Sequence, residues 1–368
     1  MKSMKKLVLV GLVLLASVMV LVGCKNDSVP EAQHEHSFAE HTFVNEVCSI
    51  CNLRIPEGFV WVPGGTIEGA DYTNNYKGVF IEGRTVTLSD FYMGKYEVTQ
   101  EEYASVMAGQ TVTVDGTTYQ LESDPSNCTA DNEKYTLFPG DEQGKRPVEG
   151  VTWYDAVWYC NALSEKTNLS PAYKIKVTKV AQADGKTGYY ISEATVTLNE
   201  DASGYRLPTD AEWEYAARGG NPEAEAWNYT FSGADKAEGT KYTDSKNKGL
   251  DAVGWYCYNN ITGETGDEDV TTDVSGCGTH QVGKKGANTL GIYDMSGNVF
   301  EWCYDWYGTV EQGEETGPQG ASSGDERVYR GGGWSHNAYR ASVSLRLGDD
   351  PGSRLGNHGF RVVRASSK

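Results

Sequence analysis

The sequence predicts an α+β fold with few helices, many short strands and long connecting loops. Only three stretches combine an N-cap residue with apolar residues at helical spacing. The chain between them consists of short β-branched runs separated by turns, and it is rich in glycine and tyrosine, with 43 and 23 of the 368 residues. This pattern is typical of a compact core covered by irregular chain.

Three helix N-termini can be located from capping residues. The first is Thr99–Glu102, a capping box in which the hydroxyl and the carboxylate satisfy free backbone N–H groups. The second follows Thr152, after which apolar residues recur at helical spacing. The third is the capping box Thr209–Glu212, and Gly219 supplies a left-handed end to its helix. We expect all three helices to serve as scaffold.

Short strands are predicted between these helices. Val79–Ile81 and Thr85–Leu88 are β-branched runs bounded by turn residues. Lys174–Leu198 alternates polar with β-branched residues on both sides of Asp184-Gly185, which predicts an inserted β-hairpin.

Residues 1–23 have the features of a lipoprotein signal peptide. A basic start with Lys2, Lys5 and Lys6 precedes an apolar run that ends at a glycine followed by Cys24. A transmembrane helix is the alternative, but the run is short for a bilayer and polar residues follow it directly. We therefore expect Cys24 to become a lipidated N-terminus that anchors the protein to a membrane, at the cell surface or facing the periplasm.

The charge of the chain argues against nucleic-acid binding. The formal net charge is −19, and removal of the basic leader makes it more negative. Binding to phosphates needs clustered lysine and arginine side chains, which this sequence does not show. The acidic excess is interpreted as a well-solvated surface.

The segment 24–56 is a polar linker that contains candidate zinc ligands. Cys48 and Cys51 have the CxxC spacing of a tetrahedral zinc site, and His34 and His36 precede them. A local disulfide or a plain spacer would give the same pattern, because no second CxxC pair accompanies it.

Other cysteines lie in the part of the chain that follows the linker. In a compartment outside the cytoplasm their thiols can form disulfides. Cys257 and Cys277 flank an acidic, glycine-rich insert and could be joined across it, although the sequence alone does not fix the pairing.

Three motifs, in order along the chain, resemble the formylglycine-generating enzyme (sulfatase-modifying factor) family. They are Gly204–Gly220, Asn288–Trp302, and Arg330–Trp334 together with Gly359–Arg361. The resemblance runs from about Gly58 to Arg364, and it implies one large domain, 57–368, with insertions. It also implies a C-type-lectin-like fold, which agrees with the α+β pattern.

The residues that carry the family's catalysis are absent. In that family a cysteine pair after the Gly-Gly element performs a copper-dependent oxidation, and the spacing places this pair at His336 and Ala341. No cysteine follows Cys303, so the thiolates needed for the metal and the substrate are lacking. We therefore predict a protein without this activity. An oxidase of the family that uses other ligands remains the alternative.

One loop is a candidate calcium site. Asp294 and Glu301 place two carboxylates around a glycine, which suits a hard cation with oxygen ligands. The family's calcium site matches Asp294 and Glu301 by side chain, and Gly297 and Val299 by backbone carbonyl. The alternative is that Glu301 is a buried structural acid.

The segment 334–359 keeps the family's fixed residues but differs between them. In one branch of the family, the variable proteins of diversity-generating retroelements, the positions between descend from Asn codons whose adenines are replaced at random. Such replacement cannot produce Lys, Gln, Glu, Met or Trp, and none of these occurs from Ser335 to His358. The variable positions in this chain are Ser335, His336, Asn337, Tyr339, Leu347, Gly348, Asp349, Asp350, Gly352, Ser353, Leu355, Gly356 and Asn357.

These variable positions have the composition of adaptable binding loops. Tyrosine gives rigid contact area, while serine, glycine and asparagine give adaptable contacts and hydrogen bonds at low entropic cost. The sequence thus predicts a surface-displayed, non-catalytic lipoprotein that binds an unknown ligand, which we expect to be a protein. A structural or assembly lipoprotein, in which these residues are ordinary surface loops, is a further alternative.

Overall fold

The computed structural model describes residues 43–44, 47–48, 54–70, 78–132, 138–182, 185–234, 247–259 and 277–366. The predicted signal peptide with Cys24 and the candidate zinc ligands His34, His36 and Cys51 lie outside these residues, and only the backbone of Cys48 lies within them. Within these ranges, no helix is both long and apolar enough to cross a membrane.

Four α-helices occur in the described chain. They are α1 (Gln100–Met107), α2 (Trp153–Lys166), α3 (Asp210–Ala217) and α4 (Lys248–Val253). The first three begin at the predicted N-caps, each closed by a capping box, and Gly219 has a φ of 86° after α3. These three predictions are confirmed. The helix α4, which has only six residues, was not predicted.

Short strands make up most of the remaining regular structure. They are β1 (Phe43–Val44), β2 (Val47–Cys48), β3 (Phe59–Val62), β4 (Gly65–Glu68), β5 (Arg84–Leu88), β6 (Phe91–Gly94), β7 (Thr111–Val114), β8 (Thr117–Gln120), β9 (Tyr173–Gln182), β10 (Tyr189–Leu198), β11 (Tyr205–Arg206), β12 (Phe300–Trp306), β13 (Gly313–Thr316), β14 (Arg327–Arg330), β15 (Leu347–Asp349), β16 (His358–Gly359) and β17 (Val363–Ala365).

The strands pair in small sheets. Two four-stranded sheets have the orders β11-β17-β6-β3 and β15-β14-β12-β16, and a three-stranded sheet has the order β13-β5-β4. The predicted hairpin is confirmed as β9 paired antiparallel with β10, and Thr85–Leu88 lies within β5. The predicted strand Val79–Ile81 is wrong: only Ile81 makes a bridge, with Ala70, because Val79 N–H donates to the buried carboxylate of Glu214 instead.

The core has two main parts, and both are rich in aromatic side chains. One packs α1 and α2 against the hairpin and includes Trp302 and Phe360. The other surrounds α3 and includes Trp213 and Met295. The last third of the chain contributes to both parts, so its C-terminal segment is built directly onto the core.

Candidate functional site

The side chain of Trp334 connects the start of the segment 334–359 to a residue near its end. This indole is 3% exposed, packs with Cys128 and Cys277, and donates from Nε1 to the carbonyl of Gly356 at 2.9 Å. Gly331 and Gly332, with φ of 94° and 80°, turn the chain into this position. At Gly332 a Cβ would lie 2.7 Å from the Cα of Ala341, so only glycine fits there.

Buried ion pairs hold the middle of the segment. Arg346 donates from Nε to Asp210 Oδ2 at 2.5 Å, and Arg330 pairs with Asp210 at 2.6 Å and with Glu214. Burial alone would raise the pKa of Asp210, but these two guanidinium groups bring it below its ordinary value. Since α3 supplies both acids, it fixes where the segment returns to form β15.

Main-chain hydrogen bonds hold the second half of the segment against the start of α2. The N–H of Trp153 donates to Pro351 O at 3.0 Å, and the N–H of Gly150 donates to Leu355 O at 3.1 Å. Arg354 donates from Nε to Gly150 O at 2.6 Å. Both acceptors on the segment are main-chain carbonyls, so the bonds to Pro351 and Leu355 do not depend on the side chains at these two positions. The bond from Arg354 does depend on its side chain.

Solvent exposure differs between groups of residues along the segment. Every one of the thirteen predicted variable positions is partly or fully exposed, with Asp350 and Leu355 the most open. Of the intervening residues, Ala338, Ala341–Leu345 and Pro351 are buried, whereas Arg340, Arg346 and Arg354 are partly exposed. We call the surface formed by the thirteen positions the variable face.

A polar cluster surrounds His336, the first position at which the family has a cysteine. Its Nδ1 lies 3.2 Å from Ser335 Oγ and 3.3 Å from Asn357 Nδ2. The neighbouring His358 is buried, and burial lowers its pKa to about 3, so its ring is neutral. Ala341, at the second position, is 1% exposed and carries no reactive group. The described residues contain no group of three or more His, Cys, Asp or Glu that could hold a metal.

The cysteines nearest the variable face have different surroundings. Cys257 Sγ donates to Asn337 Oδ1 at 3.2 Å, and the N–H of Cys257 donates to His336 O at 3.1 Å. Cys277 instead packs in the cluster with Cys128 and Trp334. The two residues that the sequence allowed to pair thus support different parts of the face.

The candidate calcium residues fit a cation only in part. Glu301 accepts two hydrogen bonds from Arg361, each at 2.6 Å, and one from Trp213 Nε1 at 2.7 Å. Asp294 accepts from Gly283 N–H through Oδ2, but its Oδ1 is buried without a partner. One carboxylate oxygen is therefore available to a cation, while the Glu301 charge is already compensated. Calcium stays a prediction.

A third acid, Glu97, lies in the same place and was not predicted from the sequence. Its carboxylate accepts from Val299 N–H at 3.0 Å and from Asn298 Nδ2 at 2.7 Å. Burial, and then the charges of Asp294 and Glu301, raise its pKa well above the ordinary value, and burial raises the pKa of Asp294 to about 6. Glu97 precedes the Asn298 loop by about 200 residues, so no spacing could have revealed it.

The inserted hairpin forms one wall of the variable face, which the sequence did not predict. Arg354 stacks over Tyr190 at 4.7 Å, and a Cβ at Gly352 would lie 2.7 Å from the carbonyl oxygen of Ser192. A Cβ at Gly348 would lie 2.7 Å from Tyr307. Close neighbours therefore restrict substitution at both of these glycines.

Comparisons with known proteins agree over most of the chain. The model of the sulfatase-modifying factor enzyme 1-like domain matches residues 51–366. The chaperone protein LppX of Paenibacillus barcinonensis is 37% identical over 321 residues, which cover 85% of this chain and 91% of that protein. The formylglycine-generating enzyme of Thermomonospora curvata is 26% identical over 325 residues, 84% of this chain and 94% of that enzyme.

A solved structure is also similar. The structure of Treponema denticola variable protein 1 matches with a TM-score of 0.59 and 31% sequence identity, and the match covers 83% of this chain and 94% of that one.

Proposed function

Because the chain belongs to the sulfatase-modifying factor enzyme 1-like family, we propose that it has kept the family's fold for binding and does not catalyse the family's oxidation. The ligand is a protein, and the variable face binds it. The exposure pattern of segment 334–359 is the observation that carries this proposal.

The chemistry of the former catalytic position supports a binding role. Formylglycine formation in the family needs two thiolates, and His336 and Ala341 stand at their positions. The nearby thiol of Cys128 is buried, and burial raises its pKa well above the ordinary value, so it is a poor nucleophile. The thiols of Cys257 and Cys277 also lie beside the segment, but neither stands at the positions of the family's pair.

The construction of the variable face supports a binding role as well. Its positions reach solvent, while buried ion pairs and main-chain hydrogen bonds hold the segment in place. Binding residues on loops that a rigid scaffold positions are a common arrangement. Tyr339, which lies beside the Arg340 guanidinium, is the candidate anchor, because aromatic residues dominate the energetics of protein interfaces.

The predicted signal peptide supports a location on a membrane. A lipidated Cys24 would place the domain on a membrane through the linker 24–56, with the variable face available to partners in the envelope or outside the cell. One relative is named a chaperone and another a variable protein, and both names fit a protein that acts by binding.

Two binding functions differ in what the variable face must recognise. A diversified receptor changes its ligand when the face changes, whereas in a chaperone, favoured by the 37% identity to the chaperone protein LppX, the face is not diversified. The neighbouring DNA distinguishes them. A near-copy of the coding sequence for segment 334–359, rich in Asn codons and beside a reverse-transcriptase gene, supports the receptor; its absence supports the chaperone.

Capture of binding partners tests the proposal directly. The full-length chain and its Tyr339→Ala and Leu347→Asn variants are used to capture envelope and surface proteins, which are then identified by quantitative mass spectrometry. Tyr96→Ala is the matched control, because Tyr96 is exposed but lies outside the segment. We expect a partner that the two face variants lose and the control keeps. A partner retained by all four proteins would contradict the assignment of the face.

Catalysis is tested separately. The protein is incubated with a sulfatase-type cysteine peptide, copper and oxygen, and the peptide is followed by mass spectrometry. We expect no aldehyde. Time-dependent formylglycine formation would show that the chain is an enzyme.

A further inference from the structure

A cavity of about 430 Å³ lies beside the inserted hairpin and includes none of the variable positions. Its walls are residues 194–197 of β10, residues 319–322, Tyr154, Tyr304, Trp306 and Arg327. Sites for small ligands commonly have this size and combine aromatic walls with a few polar groups.

Arg327 is the unusual group in this cavity. The side chain is 5% exposed and its guanidinium lies between the rings of Trp153 and Trp306, at 3.8 and 3.4 Å from their centroids. Nη1 donates to the carbonyl of Tyr304, and Nε is buried with no hydrogen-bond partner. By contrast, the buried guanidinium groups of Arg330 and Arg361 each pair with a carboxylate.

Arg327 forms no ion pair with any acid in the described part of the chain. Asp305 acts on it electrostatically, but burial and the nearby charge of Asp210 raise the pKa of Asp305 to about 8, which weakens its compensation of the guanidinium charge. Burial lowers the pKa of Arg327 to about 10, and it still carries its charge at pH 7. A buried cation without a compensating anion is costly, and a bound anion would remove that cost.

The surroundings of Arg327 favour a ligand in which a carboxylate is attached to an aromatic ring. A guanidinium matches a carboxylate through two parallel N–H donors. Tyr304 and Trp306 line the cavity beside it, one face of the Trp306 ring being covered by the guanidinium, and aromatic side chains favour contact with other rings, edge to face or offset. We propose that this cavity is a second binding site, which takes a small aromatic carboxylate with its charge toward Arg327 and its ring against Trp306 and Tyr304.

Titration with simple probes tests separately whether the ligand needs a negative charge and whether it needs an aromatic ring. The full-length chain is titrated by calorimetry with sodium benzoate, benzamide, sodium acetate and sodium glucuronate. We expect saturable binding of benzoate that is at least about tenfold tighter than that of each other probe, or about 1.4 kcal/mol. If benzamide binds as tightly as benzoate, the ligand does not need a negative charge. If glucuronate binds more tightly than benzoate, the ligand does not need an aromatic ring, and either result would overturn the proposal.

A matched pair of variants locates the site without touching the stacked guanidinium. Ser322 lines the cavity and Ser323, its neighbour, does not, while both are exposed. Ser322→Trp fills the cavity and should weaken benzoate binding at least about tenfold, whereas Ser323→Trp should leave it unchanged. Thermal melting checks that both variants fold. No saturable benzoate binding to the unmodified chain, or equal binding by both variants, would overturn the proposal.

Discussion

The variable face and the ion-paired scaffold beneath it come from the same 26 residues, yet they are held by different interactions. In the scaffold, Arg346 and Trp334 are specified by their side chains, through Asp210 and Gly356 O. In the face, Leu355 is held through its backbone carbonyl, as is the buried Pro351 beside it. The difference shows that one segment can require particular side chains at some positions and tolerate substitution at others. Side-chain identity matters only where the side chain makes the contact.

The largest expected effect comes from breaking the scaffold at Trp334. Trp334→Ala removes a buried indole and the hydrogen bond that closes the segment. Truncation of a buried tryptophan costs on the order of 3 to 5 kcal/mol. We expect the domain to unfold or melt at a much lower temperature in circular dichroism. A melting curve like that of the unmodified protein would show that the segment is not built on this residue.

A pH titration tests the scaffold next to the face. Glu149 accepts from the N–H groups of Asn127 and Cys128, and burial raises its pKa from 4.5 to about 7. A raised pKa in the folded state means that this contribution to stability is present below about pH 4.5 and is lost as the pH rises through 7. Its size is on the order of 3 kcal/mol at most.

Glu149→Gln keeps an acceptor for both N–H groups and cannot ionise. Urea unfolding at pH 5 and pH 8 should therefore show a smaller loss of stability for this variant than for the unmodified chain. Identical losses in the two proteins would mean that Glu149 does not titrate in this range.

Calcium bound beside Glu97 and Asp294 would stabilise the scaffold without contacting the variable face. One ion bound only by the folded state, at about a hundred times its dissociation constant, adds roughly 2.7 kcal/mol of stability. Chelation should then lower the melting temperature. Glu301→Ala should abolish this response and destabilise the domain further, because Arg361 and Trp213 lose their acceptor. An unchanged melting temperature together with no metal in elemental analysis would support the structural role of Glu301.

A smaller effect is expected where the hairpin limits the face. Gly352→Ala brings a Cβ to within 2.7 Å of Ser192 O, which is backbone and can move only with the hairpin. Overpacking of this kind costs about 1 to 3 kcal/mol. Leu355→Ala is the control, because Leu355 is 44% exposed. Equal stability of the two variants in urea would show that the hairpin moves away from the added Cβ without a measurable loss in the free energy of unfolding.

The smallest effect on stability is expected on the face itself. Tyr339→Ala and Leu347→Asn should change the free energy of unfolding by within about 0.5 kcal/mol, as surface substitutions usually do. The same variants should lose ligand capture. If they destabilise the domain as much as Trp334→Ala, these residues belong to the core and the face is wrongly assigned.

The sequence predicted the parts of the fold that depend on local signals. Capping boxes located α1 and α3, the N-cap Thr152 with apolar residues at helical spacing located α2, and alternation located the hairpin. The resemblance to the sulfatase-modifying factor family and the lectin-like α+β fold are confirmed. Val79–Ile81 was wrongly predicted as a strand because its partner is the side chain of Glu214 in α3, more than a hundred residues away.

The candidate site was predicted less completely, for the same reason. The thirteen positions followed from codon chemistry and the resemblance, and their assignment as binding residues remains a prediction. Contacts between distant parts of the chain left no local signal. Glu97 beside Asp294, and the hairpin wall at Ser192, became visible only when the folded chain brought them together.

The backbone attachment of Pro351 and Leu355 has a consequence for heredity. The N–H groups that hold these residues in place belong to Trp153 and Gly150. These two residues are encoded some two hundred codons upstream, in a part of the gene that need not change. The DNA for the face can therefore accumulate substitutions quickly while the DNA that shapes it stays constant. We expect natural copies of this gene to differ most in a short stretch of codons near the end.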